Sequence, residues 1–482
     1  MDNSPFILVI FGATGDLAKN KLIPALFGLF KKNELPKDFW IVGFARRPFL
    51  QDEFAKLLWE GLPDDVRHDK KEWENFARHL FYQQGNFDES WGYNALVEKL
   101  KNLDEQIGAC ITRIFYLATP PQNYDTILDN MVATRLPEGC GQGSSKWTRI
   151  AIEKPFGKDI ETALALDKKL SEIFEEKQIF RVDHYLGKES LQNLLVFRFA
   201  NGIFDPIWNS EYIDNVQITL SEKKGIGNRG KFFDGVGTLR DVGQNHLMQL
   251  FAAVAMEMPM SFSKEGVRDA RAKAIESIKC IDSERVGSDV VRGQYIGYKS
   301  EKDVDKNSST ETYVAMKFFA NSKRFENIPF YMRAGKEMSE NLVEIAIVFK
   351  QTCHILFKEI GCPEEGNVLK IRIQPDEGIN IRIIAKTPGP NLLLEPVDMH
   401  FKYSEHFASK GSEAYEKVLG DIIKGEQILF NRSDELESSW EFIEKILKGW
   451  ENENIPLFEY KKGSMGPKAG DELLGKDGKK WV

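Results

Sequence analysis

The sequence predicts an α/β domain built on a parallel sheet, followed by an α+β domain with a large, mainly antiparallel sheet. Three observations predict it. Up to about residue 180, short apolar runs alternate with amphipathic stretches, the signature of strand–helix units around a parallel sheet. Beyond that point apolar runs follow one another with few helices between several of them. The chain has 482 residues, well past the roughly 250–300 at which one core stops growing. We place the boundary so that residues 1–180 form the first domain and 181–482 the second.

In the first domain Phe6–Phe11 reads as a buried strand and Leu17–Lys32 as the helix after it. Trp40–Ala45 is a second strand. Ile114–Ala118 and Arg149–Glu153 are two more, each running into proline (Pro120–Pro121 and Pro155). Prolines there mark abrupt turns, at the strand ends where α/β proteins hold ligands. Glu161–Lys177 repeats Leu166, Leu170 and Ile173 at helical spacing. In the second domain Val216–Leu220 alternates like a half-buried strand, and Tyr313–Phe319, Val343–Phe349, Val368–Gln374 and Ile379–Ala385 are further strands. Glu189–Asn201 and Thr238–Met258 are its best helices. The Gly- and Lys-rich segment from Lys461 reads as only partly ordered.

Composition narrows the function classes. Hydrophobic residues make up 42% and charged residues 29%, which supports packed cores and excludes wholesale disorder. The net charge of −8 and the lack of a long basic run argue against nucleic acid or an anionic membrane as partner. An anionic ligand would need local Lys and Arg clusters. Five scattered cysteines argue against a disulfide framework and for a reducing compartment. Cys353 and Cys362 flank His354, but no CxxC pair is present and no metal site is expected. The apolar N-terminal stretch follows Asp2 and is ended early by Asp16 and Lys19, so neither a signal peptide nor a membrane span is expected; a cytoplasmic location follows.

Four stretches carry chemistry. Gly12-Ala-Thr-Gly15-Asp-Leu-Ala18 sits where a strand hands over to a helix. One glycine permits the tight turn, a second lets N–H groups approach a pyrophosphate, and a small third residue lets helix and strand pack. A ligand-free glycine turn competes with this Rossmann-like reading, because the spacing departs from GxGxxG. At the end of the second strand, Gly43-Phe-Ala-Arg46-Arg47 offers no acid for ribose hydroxyls. A guanidinium there suits a 2′-phosphate, which favours NADP over NAD; two solvated loop arginines are the plainer alternative.

Arg181-Val-Asp183-His184-Tyr185-Leu-Gly187-Lys188-Glu189 packs a carboxylate, an imidazole, a phenol and an ammonium just before a helix. His184, Tyr185 and Lys188 are suitable donors for a phosphate monoester, though polar residues also gather at any helix start. His246, in Arg240-Asp-Val-Gly-Gln-Asn-His246, could be a base poised near neutral pH or a satisfied core histidine. α-Helical spacing sets Asp241 some 140° away from it, so a partner carboxylate must come from elsewhere, and Asp183 is available.

Together these motifs resemble the glucose-6-phosphate dehydrogenases. Gly12-x-x-Gly-Asp-Leu-Ala18, Glu153-Lys-Pro-Phe-Gly157, the 181–189 motif and Arg240-Asp-Val-x-Gln-Asn-His246 occur in that family in this order. Val291-Val-Arg-Gly-Gln-Tyr295 and Arg333-Ala-Gly-Lys336 continue the match, and Gly463–Pro467 fits loosely. The resemblance implies His246 as general base with Asp183 orienting it. It implies His184, Tyr185 and Lys188 as the phosphate clamp, and Lys154 touching sugar and coenzyme beside a cis Pro155. Glu222, Asp241 and Lys336 would hold sugar hydroxyls. Gly12, Thr14, Gly15, Leu17 and Arg46 would hold NADP, with NAD as a second coenzyme, since some members of the family use both and Arg47 has no fixed counterpart. It further implies an oxidoreductase of the pentose phosphate pathway that makes 6-phosphogluconolactone, assembled as a homodimer or homotetramer. Two rivals are a glucose–fructose oxidoreductase-like enzyme, which leaves the 181–189 and 240–246 motifs unexplained, and a catalytically silent dinucleotide-binding protein.

Overall fold

The computed structural model describes residues 4–64, 66–108, 111–139, 148–364, 366–407, 414–452 and 455–482. Cys110 and Cys140 lie outside the described residues. Two compact units form: Met1–Gly187 with Ser263–Glu265 and Ser412–Ser433, and Lys188–Phe262 with Gly266–Gly411 and Asp434–Val482.

The first unit is built on β1 (Phe6–Phe11), β2 (Phe39–Ala45), β3 (Leu80–Gln84), β4 (Thr112–Leu117), β5 (Thr148–Glu153) and β6 (Ile179–Val182). Its spatial order is β6-β5-β4-β1-β2-β3, all parallel, with a two-residue antiparallel strand, Phe430–Asn431, outside β6. β1 is FILVIF and buried throughout, because helices cover both faces of a parallel sheet and leave no polar side. Each such side chain contributes about 1.5–3 kcal/mol on burial. The order reverses between β1 and β4, and loops after those strands therefore open a crevice at the switch point.

The helix expected at 161–177 is shorter, Ile160–Ile173. Asp159 starts it by accepting Thr162 N–H at 2.8 Å. Beyond Phe174, Gln178 leaves helical geometry to donate to Thr148 O at 2.9 Å, and β6 begins at Ile179, unannounced by the sequence. The chain later returns to this unit with the helix Ala414–Lys424, whose Glu416 pairs with Lys32 at 2.6 Å.

The second unit's sheet contains β7 (Ile213–Ser221), β8 (Ile278–Lys279), β9 (Val290–Tyr295), β10 (Tyr313–Ala320), β11 (Pro329–Gly335), β12 (Leu342–Phe349), β13 (Val368–Gln374), β14 (Gly378–Lys386), β15 (Leu394–Lys402) and β17 (Leu457–Tyr460); β16 is the Phe430–Asn431 strand above. The order is β15-β14-β13-β12-β7-β11-β10-β9-β17, with β8 beside β10. All pairs are antiparallel except β7–β11 and β9–β17. On one face Phe251 packs edge-on against Phe318 and Phe330.

Two expectations are corrected together here. β7 is buried on both faces instead of alternating, and the segment after Lys461 is ordered. The cause is shared. Gln217 on β7 donates to Lys480 O at 2.9 Å and accepts Val482 N–H at 3.0 Å, while Leu473 and Leu474 join a core with Tyr313 and Tyr331. The cysteine reading is corrected too. Cys353 and Cys362 form a disulfide with Cα atoms 5.9 Å apart, so both sulfurs flanking His354 are engaged; Cys280 is a free thiol. Among the described residues no helix is long and apolar enough to cross a membrane.

Candidate active site

The glycine loop after β1 is shaped for close approach. Gly12 has φ +85°, a conformation L side chains rarely adopt, and a Cβ there would meet Ala118 O at 2.6 Å. Its N–H donates to Phe44 O at 2.9 Å, and Gly15 N–H donates to Gly12 O at 2.9 Å. Thr14, Gly15 and Leu17 are half-buried around this turn. The helix that follows begins as a π segment, Ala18–Leu22, before the α-helix Ile23–Lys31. Thr119, just past β4, is buried, and its Oγ1 has no hydrogen-bond partner among the described residues. A buried orphan hydroxyl beside a Cβ-less turn at the switch point fits a dinucleotide's phosphates. Sequence reasoning missed Thr119, because nothing local sets it apart.

Arg46 and Arg47 are exposed just past β2. Their backbone is pinned from β3: Tyr82 donates to Ala45 O at 2.8 Å and to Arg47 O, and Gln84 donates to Arg46 O at 3.2 Å. The side chains are thus left at the rim on a fixed turn.

Past β5 the Lys154–Pro155 bond is cis, as the resemblance implied. Behind Lys154 lies a group that sequence reasoning left without a role. Glu153 is buried, and its Oε1 accepts Tyr116 at 2.6 Å and Tyr415 at 3.1 Å, while its carbonyl accepts Tyr124 at 3.0 Å. Burial pushes the Glu153 carboxyl up to about 7, against the lowering pull of the two phenols and Lys154. The motif after β6 is a tight turn: Asp183, fully buried, accepts Tyr185 N–H at 3.0 Å. His184 lies over Tyr185 at 4.9 Å and parallel to Tyr415 at 6.2 Å. The first unit therefore gathers Lys154, Asp183, His184 and Tyr185 at the ends of two neighbouring strands.

The second unit opens with Lys188, which donates to Gln374, next to the cis Gln374–Pro375 bond. Three residues assigned to sugar hydroxyls meet here. The buried Lys336 ammonium bonds Glu222 and lies 3.4 Å from Asp241. Its backbone is held on both sides, N–H to Thr312 O at 2.9 Å and carbonyl from Tyr460 at 2.7 Å. Asp241 and His246 lie on a second π segment, Leu239–Leu247, where an α-helix was expected from Thr238; the α-helix proper is Met248–Ala255. The two stand five residues apart, the hydrogen-bond period of a π turn, so they fall closer to one face than α spacing allows. His246 is 4% exposed, and its backbone N–H donates to Asn245 Oδ1 at 2.7 Å. π segments are rare and recur at functional sites. Among the described residues they are found only after the glycine loop and around His246.

Comparison with known proteins agrees over the whole length. A family model described as glucose-6-phosphate dehydrogenase, NAD binding domain, matches residues 9–193, and one for the C-terminal domain of that enzyme matches 195–482. The chain is 42% identical over 495 residues to glucose-6-phosphate 1-dehydrogenase of Chlamydia pneumoniae, covering 99% of this chain and 96% of that one. A solved glucose-6-phosphate dehydrogenase in complex with glucose 6-phosphate superposes with TM-score 0.90 at 33% identity, covering 99% of each chain. A crystal structure of the enzyme from Mycobacterium avium gives TM-score 0.85 at 31% identity, covering 99% of this chain and 98% of that one. A Gal80p mutant of Saccharomyces cerevisiae, at 8% identity and TM-score 0.52, shares the fold alone.

Proposed function

The chain belongs to the glucose-6-phosphate dehydrogenase family, and from that premise we propose how its own residues bind, hold and deprotonate the sugar. The reaction is the oxidation of glucose 6-phosphate to 6-phosphogluconolactone with a nicotinamide dinucleotide coenzyme, the first oxidative step of the pentose phosphate pathway. The observation that carries the residue assignment is Lys336 held between Glu222 and Asp241 at the root of the segment that bears His246. A buried cation with two carboxylates offers fixed donors and acceptors for vicinal hydroxyls.

On this reading His184, Tyr185 and Lys188 donate to the phosphate, and Glu222, Asp241 and Lys336 orient the pyranose. His246 removes the anomeric hydroxyl proton, and Asp183 holds the imidazole and stabilises the imidazolium that forms. Lys154 lies between sugar and coenzyme, and Glu153 with its tyrosines fixes the turn that presents it. Gly12, Thr14, Gly15, Leu17 and Thr119 would hold the dinucleotide, which supplies the hydride acceptor when bound. Arg46 at the rim supports NADP as the preferred coenzyme, with NAD as a second. Residues 1–180 serve as the coenzyme domain and 181–482 as the substrate and oligomerisation domain. A cytoplasmic homodimer or homotetramer completes the reading. It is supported by β15, an edge strand exposing Val397 and Met399, for which a second copy is a natural cover.

Absorbance of reduced nicotinamide tests this directly. Glucose 6-phosphate with NADP should give turnover, free glucose should give almost none, and NAD should work less well. Equal rates with glucose and its phosphate would remove the clamp assignment.

A further inference from the structure

A polar cavity of about 330 Å³ in the second unit belongs to none of the residues assigned so far. It is lined by Arg240, Arg292, Glu311, Thr310, Trp450 and Glu451, among others. Arg240 and Arg292 both line it, and neither makes an ion pair among the described residues. Arg240 spends one bond on Val236 O at 3.3 Å. Arg292 is anchored through Nε and Nη2 on Ile455 O, at 3.1 and 2.6 Å, with its guanidinium over the Trp450 ring at 5.6 Å. Trp450 is 5% exposed, and its indole Nε1–H has no acceptor in the structure. A buried donor left without an acceptor costs about 1–3 kcal/mol. Two cations and an orphan donor around one void ask for a small ligand rich in acceptor oxygens.

We propose that this cavity is a second anion site, built for a phosphate group and separate from the phosphate clamp of the active site. The paired forks of Arg240 and Arg292 match a tetrahedral oxyanion, and the Trp450 N–H supplies a fixed third donor. Glu311 at the cavity wall opposes an anion only weakly. Burial pushes its carboxyl up to about 7, against the Leu239 N–H it accepts at 2.9 Å and the pull of both arginines. The site sits at the beginning of the Leu239–Leu247 segment, since Arg240 is the neighbour of Asp241.

The test is calorimetric titration of the full-length Lys188→Ala protein, whose active-site clamp is weakened, with inorganic phosphate and separately with glycerol phosphate, no sugar phosphate being present. One-to-one binding is expected with at least one probe. The phosphate arm distinguishes a free-ion site from one that takes phosphate esters. Trp450→Phe, which keeps the ring and deletes the donor, should weaken binding about tenfold. Glu451→Lys alters an exposed rim residue that the fold does not need, and should tighten it several-fold. The protein with its clamp intact should show the same binding event beside the one at the active site. No binding to the Lys188→Ala protein, or indifference of that binding to both Trp450→Phe and Glu451→Lys, would overturn the proposal.

Discussion

At the scale of single residues, the sequence exposed chemistry but not partnership. His184, Tyr185 and Lys188 were legible because donors crowded into one short motif have few other uses. Lys336 was legible only through family likeness: its pairing with Glu222 and Asp241 joins positions more than ninety residues apart, which no local pattern encodes. Glu153 and Thr119 escaped because burial gives each its character, and burial is a tertiary property. Arg46 allows a sharp prediction. Its side chain stands in solvent on a fixed turn, so Arg46→Ala should leave the fold intact. The Michaelis constant for NADP should rise tenfold or more, consistent with a lost charge-assisted pair, while that for NAD changes little. Equal changes for both coenzymes, measured at saturating glucose 6-phosphate, would assign the 2′-phosphate elsewhere.

At the scale of elements, most strand positions were readable, because a continuous apolar run or strict alternation leaves few alternatives. What the pattern could not show was how elements begin. Both π segments, Ala18–Leu22 and Leu239–Leu247, read as ordinary helix, since apolar spacing over one or two turns barely separates the two geometries. β7 misled for another reason: Gln217 looks like an outward position until the C-terminal tail covers it. The turn after β1 makes the strongest element-level prediction. Gly12→Ala puts a methyl within 2.6 Å of Ala118 O in a left-handed conformation. We expect about 1–3 kcal/mol of destabilisation and a coenzyme affinity reduced at least tenfold, with glucose 6-phosphate affinity nearly unchanged. Denaturant melts and coenzyme fluorescence titration measure the two parts. Wild-type coenzyme affinity in this variant would mean the loop does not cradle the phosphates.

At the scale of the whole molecule, the return of residues 414–433 to the first unit had no signature in the sequence, because the helix Ala414–Lys424 is amphipathic whichever unit it covers. That return has an electrostatic consequence, since it brings Tyr415 to Glu153. Glu153 and Glu311 both have carboxyls pushed by burial from 4.5 up to about 7. Between those values the folded chain keeps protons that the unfolded chain has released. Their contribution is therefore full below about 4.5 and is lost as pH rises through about 7. The gap corresponds to on the order of 3 kcal/mol per group. Glu153→Gln/Glu311→Gln should flatten the decline in urea midpoint between pH 5 and pH 8 and be the more stable chain at pH 8. A double variant that declines as steeply as wild type would show that these carboxyls are ionised in the fold.

The central claim is that a buried imidazole takes the proton as the sugar is oxidised, and steady-state kinetics of His246→Asn test it most directly. General-base loss should lower kcat about 10²–10⁴-fold and leave KM for glucose 6-phosphate within about threefold of wild type. Retention of most of the wild-type kcat would contradict the account.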